Sequence, residues 1–346
     1  MKVIITGGCG FIGVNVAIRH LEKQDEVIIV DDLSRKGTQN NLDYLNTKYK
    51  GQFDFYLVDI TNPNKLHEAL YKHMDASIFY HLAAQVAVTT SITDPYTDFR
   101  INAWGTFVVL ELLRQCKFKG KVIYSSTNKV YGSMEHLVYK ESNTRYYVDG
   151  YDDGIAFNEK TLLDFHSPYG VSKGSAEQYV HDYSRIYGLN TTVFRQSCIY
   201  GKFQMGSLDQ AWISWLFLNA IKDKPITIYG TGKQVRDILF VDDLIDAYLL
   251  AFNNDVTSKG SIYNVGGGIK NTLSLLEYLE ILETKLNKKL IVTFEDFRAG
   301  DQKIYVSDNS KAIKELGLEV KIDKQKGIEE LIKWTTDNID RFDYIK

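Results

Sequence analysis

Proline and cysteine are scarce here: four prolines and three cysteines in 346 residues, with no repeat or low-complexity tract. That scarcity excludes a disordered or collagen-like chain, and 44% hydrophobic with 25% charged residues is the composition of an ordinary globular protein. Cys9, Cys116 and Cys198 are odd in number and lack paired spacing. They exclude a disulfide framework or zinc site and point to reduced thiols in a cytoplasmic setting. The seven histidines show no metal-binding spacing either, so no metal is expected. Blocks of lysine or arginine are missing and the formal charge is -3, which argues against nucleic acid or an anionic membrane as partner. The longest apolar run, near residues 211–220, falls well short of the roughly 20 residues a membrane span needs. The chain opens directly on a strand pattern, so no targeting or spanning segment is expected. What remains is small-molecule chemistry.

Short β-branched runs at residues 2–6, 26–30, 53–58, 76–81, 121–125 and 191–194 alternate with helical patterns at 11–22, 65–73, 95–116 and 168–187. Strand–helix alternation of this kind predicts an α/β fold, a doubly wound parallel sheet of Rossmann type with helices on both faces. Beyond about residue 195 the alternation turns irregular, with helices near 210–221 and 241–252 and a last one from about Lys324. We read residues 1–195 as a dinucleotide-binding domain and 196–346 as a smaller substrate-binding lobe, interleaved with the last strands of the sheet. Open α/β sheets bind ligands at the carboxyl ends of their strands, so a lobe placed there closes a cleft.

Residues 3–13 read V-I-I-T-G-G-C-G-F-I-G, a strand, then Gly7, Gly10 and Gly13, then a helix. Glycines there permit a tight turn and close backbone approach to a pyrophosphate, which the helix N-terminus attracts. A glycine triplet alone is also an ordinary turn. The next strand, however, ends in Asp31, about 20 residues on, where an acid accepts hydrogen bonds from a ribose 2′-hydroxyl and repels a 2′-phosphate. The expected cofactor is therefore NAD, although Arg35 nearby complicates the choice. Asp59, ending the third strand, is placed either to meet the adenine or to cap the helix that follows.

The run H-S-P-Y-G-V-S-K puts Pro168 in a first helical turn and sets Tyr169 and Lys173 on one face, about 6 Å apart along the axis. A phenol needs roughly 4 kcal/mol to ionise at pH 7. An ammonium some 5 Å away supplies about 3 kcal/mol at an effective dielectric of 20, and the positive nicotinamide ring of the expected NAD adds more. Tyr169 is thus expected to act as a general base, with Thr127 at the end of the fifth strand hydrogen-bonding the same substrate oxygen. A Y-x-x-x-K pair on its own is more often surface decoration, and Thr127 also suits a turn.

With these motifs in place, the chain resembles the extended short-chain dehydrogenases/reductases of the NAD-dependent epimerase/dehydratase family over nearly its whole length. The resemblance is carried by T-G-G-C-G-F-I-G, V-D-D-L-S, H-L-A-A-Q at 81–85, N-A-W-G-T at 102–106, S-S-T and Y-G-V-S-K. It implies that Thr127, Tyr169 and Lys173 are the catalytic triad, and that Leu82, Ala83, Gln85, Asn102 and Ser125 line or support the NAD site. Phe11, Ile12, Asp32, Ser34 and Ile60 join that cofactor set. Asn128, Lys129 and Gln204 are expected on the substrate, with Arg236 and Arg298 clamping its diphosphate. Dimers or tetramers are common in the family.

Members that dehydrate a sugar carry an Asp-Glu pair directly after the catalytic threonine, where this chain has Asn128 and Lys129, so elimination lacks its proton donor. The runs S-S-T-N-K-V-Y-G, D-F-H-S-P-Y-G and G-K-Q-V-R-D most resemble members that invert carbon 2 of a CDP-linked deoxysugar by oxidising and re-reducing it. Cys198 stands where 4-epimerases of UDP-hexoses usually place an asparagine, though a cysteine there also serves as core filling. A UDP-hexose 4-epimerase, another NAD-dependent nucleotide-sugar oxidoreductase and a non-catalytic NAD-binding sensor stay open as alternatives.

Overall fold

The computed structural model describes residues 1–151 and 154–342. Five parallel strands open the chain: β1 (Lys2–Thr6), β2 (Glu26–Asp31), β3 (Phe53–Leu57), β4 (Ile78–His81) and β5 (Lys121–Thr127). Strands Asn190–Gln196 and Ser261–Val265 complete a seven-stranded sheet, which runs from Ser261–Val265 through Asn190–Gln196, β5, β4, β1 and β2 to β3. Strand order reverses between β1 and β4, where Ile4 pairs with both Ile28 and Phe79. A cleft opens at that switch because the loops after β1 and β4 leave in opposite directions.

The apolar runs predict burial on both faces, and β1 shows it. Val3 and Ile5 enter one core with helix α1 (Phe11–Leu21) and helix Val241–Asn253, while Ile4 enters a second core with Val109 and Leu113. Each such side chain contributes roughly 1.5–3 kcal/mol relative to exposure. Helix Ser167–Tyr187 begins with Pro168 in its first turn and ends at Gly188, whose φ of 72° is the left-handed conformation a helix end favours in glycine.

A second small sheet lies across the cleft. Its centre is Val235–Phe240, paired with Thr272–Ser274, Ile304–Tyr305 and Cys198–Tyr200. Helices at Trp212–Ile221, Val241–Asn253 and Lys324–Asp337 fall within a residue or two of the expected places.

Three differences have physical causes. The expected continuous helix at 95–116 is interrupted by a wider π-helical turn, Arg100–Trp104, which carries Asn102 inward. Helix Thr38–Lys48 went unread because T-Q-N-N-L-D-Y-L-N-T-K is polar, with only Leu42 and Leu45 buried among its apolar residues. Helix Leu275–Leu286 carried a readable signal, the Ser274/Glu277 capping box.

Candidate active site

The carboxyl ends of the strands and the small sheet enclose a cavity of about 480 Å³. The three glycines form its floor for steric reasons. A Cβ on Gly7, itself at φ +71°, would lie 2.6 Å from the Ala83 amide nitrogen, and one on Gly13 would lie 2.1 Å from the Gly7 carbonyl. Gly10 is the N-cap of helix α1 and provides no side-chain cap, so the leading N–H groups and positive dipole end of the helix adjoin the cavity uncapped. This cradle fits a dinucleotide's pyrophosphate, and Asp31 stands at the end of β2 on the same cavity wall. Asp31 Oδ2 accepts from Cys9 N at 3.0 Å and Oδ1 from Leu33 N at 2.9 Å, while burial pushes the carboxyl upward.

Phe11, Ile12, Asp32, Ser34, Arg35, Asp59, Ile60, Leu82, Ala83 and Ser125 line the same cavity. Asp32 is turned to Ser34, accepting from its amide and hydroxyl. Asp59 is not a helix cap: it holds Thr61 N and pairs with Arg100 at 3.0 Å, and Asn62 caps the helix that follows. Gln85 and Asn102 stand behind the wall rather than on it. Asn102 accepts from Gln85 N and donates to Gln85 O, both at 3.0 Å, so the π-helical turn fixes the loop after β4.

Tyr169, Lys173 and Thr127 all line the cavity, and all are buried. Tyr169 N donates to Ser91 Oγ at 3.1 Å, which seats the start of the helix. The expected electrostatic pairing of phenol and ammonium is not what the structure shows. Burial dominates, pushing the Tyr169 phenol up to about 12, with the Thr127 hydroxyl opposing that rise and the Asp98 carboxylate adding to it. Burial likewise brings Lys173 down to about 7, against the upward pull of Glu177 and Asp98. The ammonium donates to Ser125 O at 2.6 Å and lies 4.4 Å from the centre of the Tyr124 ring, so its charge is engaged there.

Asn128 and Lys129, next to Thr127, and Gln204, Arg236 and Arg298 across the cleft all reach the cavity wall. Arg236 is buried and donates to Asp301 at 2.7 Å, and Arg298 stacks 3.9 Å over the Tyr229 ring while donating to Leu208 O. Two arginines with part of their donor forks spoken for leave the remaining N–H groups for an anion. Gln204 is committed at both ends, donating to Ile199 O and accepting from Ser214. Its contribution is therefore to the wall. Sequence reading missed Trp212, Tyr229, Gln234 and Asp301, which also line the cavity. Gln234 lay inside the quoted G-K-Q-V-R-D, and Asp301 lies three residues after Arg298, so a signal existed for both. Among the described residues no group of three His, Cys, Asp or Glu could hold a metal, and no helix is long and apolar enough to cross a membrane.

The family described as GDP-mannose 4,6 dehydratase matches residues 4–331. The chain belongs to this NAD-dependent epimerase/dehydratase family. It is 44% identical over 341 residues to the CDP-paratose 2-epimerase of Salmonella typhi, covering 97% of this chain and 99% of that one. Among solved structures, the UDP-glucose 4-epimerase of Thermotoga maritima with UDP-glucose superposes with a TM-score of 0.83 at 27% identity, over 98% of this chain and 100% of that one. The UDP-glucuronic acid 4-epimerase of Bacillus cereus, in complex with UDP-glucuronic acid and NAD, gives 0.82 at 28% identity over the same shares. The family fold thus accounts for the seven-stranded sheet, the glycine cradle and the position of the cleft.

Proposed function

We propose that this enzyme is an NAD-dependent CDP-paratose 2-epimerase, which inverts carbon 2 of a CDP-linked deoxysugar through a transient ketone. The observation that carries the reading is the likeness to the Salmonella typhi epimerase over essentially the whole of both chains, 44% identical. Thr127, Tyr169 and Lys173 lining one cavity supports it. So does the absence of an acid pair after Thr127, because Asn128 and Lys129 offer no carboxyl to protonate a leaving hydroxyl.

NAD, when bound in the glycine cradle, supplies a reversible hydride acceptor. Gly7, Gly10 and Gly13 let the backbone approach its pyrophosphate, and Asp31 holds its ribose. Tyr169 takes the proton of the sugar hydroxyl at carbon 2 and returns it after the ring has turned over; because the hydride equivalent given up by carbon 2 would come back to its opposite face, the net redox change is zero. Thr127 grips the same oxygen. Lys173 braces the same helix face against the end of β5 through its bond to Ser125 O. Arg236 and Arg298 hold the diphosphate while the sugar moves, which keeps the ketone from leaving.

Residues 196–346 supply the sugar side of the cleft in this reading. Two copies pair through the outer face of helices 95–115 and 167–187, where Tyr96, Phe99, Trp104, Val171 and Tyr179 are exposed together. The three free thiols suit the reducing cytoplasm. Incubation with a panel of CDP-, UDP- and GDP-sugars, read by NMR, tests the proposal. Inversion of CDP-paratose at carbon 2 is the expected result, and turnover confined to UDP-hexoses at carbon 4 would replace this reading with the 4-epimerase one.

A further inference from the structure

Thr127 is followed by two residues whose side chains reach across the cleft to one short segment. Asn128 Nδ2 donates to Gln302 Oε1 at 3.2 Å. Lys129 Nζ donates to Gly300 O at 3.2 Å and stands 3.6 Å from Asp301 Oδ1. Gln302 is fully buried, and its Nε2 donates to Gly132 O at 2.6 Å. That last bond decides the orientation of the amide, because a carbonyl accepts only from the nitrogen end, so Oε1 faces residue 128. The amide of Asn128 answers with its own nitrogen and turns Oδ1 toward the Thr127 hydroxyl, 3.4 Å away.

We infer that Gln302 is a positioning residue for Thr127: it sets the Asn128 amide, steadies through it the turn that aims the Thr127 hydroxyl, and demands an amide at position 128. A carboxylate of the same shape there would bring two acceptor oxygens face to face in a buried place with no donor between them. The segment carrying Gln302 is itself anchored. Gln302 N donates to Asp301 Oδ1 at 3.0 Å, the atom that also accepts from Arg236 at 2.7 Å. An arginine assigned to the diphosphate therefore stands a few hydrogen bonds from the threonine assigned to the sugar oxygen. This inference rests on the epimerase reading for the role of Thr127, while the Gln302–Asn128 geometry does not.

The test is a double-mutant cycle with Asn128→Asp and Gln302→Met, measured on whichever sugar nucleotide the wild type turns over. Each single change is expected to lower kcat at least about tenfold at saturating substrate while KM and NAD affinity stay within about threefold. The double variant should be no worse than the weaker single, because both break one chain of contacts. Unchanged kcat in the singles, or losses that multiply in the double, would overturn the inference. A purely structural glutamine would lower the melting temperature and leave kcat alone. If Gln302→Met does not fold, the isosteric Asn128→Asp carries the same prediction. If the wild type turns over no sugar in the panel, the proposed function fails separately. Amide hydrogen exchange at 127–132 then reads the relay: equal acceleration in both singles supports it, and unaltered exchange refutes it.

Discussion

The half of the cleft we assign to the cofactor and the half we assign to the sugar are built in different ways. The cofactor half is made of backbone: a glycine turn whose Cβ positions are sterically closed, an uncapped helix start, and one acid at a strand end, all within the first 31 residues. The sugar half is made of side chains drawn from segments a hundred or more residues apart, with Asn128 and Lys129 meeting Gly300, Asp301 and Gln302. A backbone site tolerates little change and binds one kind of ligand. A site of convergent side chains is where members of one family diverge in substrate and reaction.

Perturbing each half should therefore separate cofactor binding from sugar handling. The largest effect is expected from Tyr169→Phe, which joins the halves: kcat should fall about a thousandfold with NAD affinity nearly intact, by steady-state kinetics and cofactor titration. On the sugar side, Arg236→Met should raise KM for the sugar nucleotide by about 10–100-fold, the loss of a charge-assisted contact, without releasing NAD. On the cofactor side, Gly13→Ala drives a methyl to 2.1 Å from the Gly7 carbonyl. That should cost about 1–3 kcal/mol in denaturant melts and weaken NAD binding with little change in sugar KM among molecules that keep cofactor.

Lys173 gives a pH test of stability. Its folded-state value of about 7 lies below the ordinary 10.5, because burial disfavours the charge. The folded protein then binds fewer protons than the unfolded one between those values, so stability rises with pH across that window. Relative to wild type, Lys173→Met should be more stable by up to about 4 kcal/mol below pH 7, with the gain gone near pH 10.5. The smallest catalytic effect is expected outside the cleft. Phe99→Glu should split the proposed pair of subunits in light scattering while kcat changes less than about twofold.

Much of the cofactor half was legible because its signals are local. Glycine spacing, strand ends and the Tyr169–Lys173 interval are short-range patterns whose geometry follows from helix and strand periods. Six of the seven strands were legible for the same reason, with the strand read at 121–125 found at 121–127 and the helix read at 168–187 found at 167–187, while the strand at 261–265 was not read. The sugar half was read through family resemblance for Arg236 and Arg298, and its internal pairing was not read at all. Nothing in a linear sequence couples Asn128 to Gln302, since that contact depends on how the small sheet crosses the cleft. The direction of the Lys173 ammonium was also out of reach, because burial and the Ser125 carbonyl outweigh the charge-pair estimate made from helical spacing.

The most direct test of the central claim follows one atom. CDP-paratose carrying deuterium at carbon 2, incubated with the enzyme in ordinary water and followed by NMR, should give the epimer with its label retained, since the hydrogen leaves and returns without meeting solvent. Loss of the deuterium to water at the rate of inversion would contradict a mechanism that oxidises and re-reduces carbon 2.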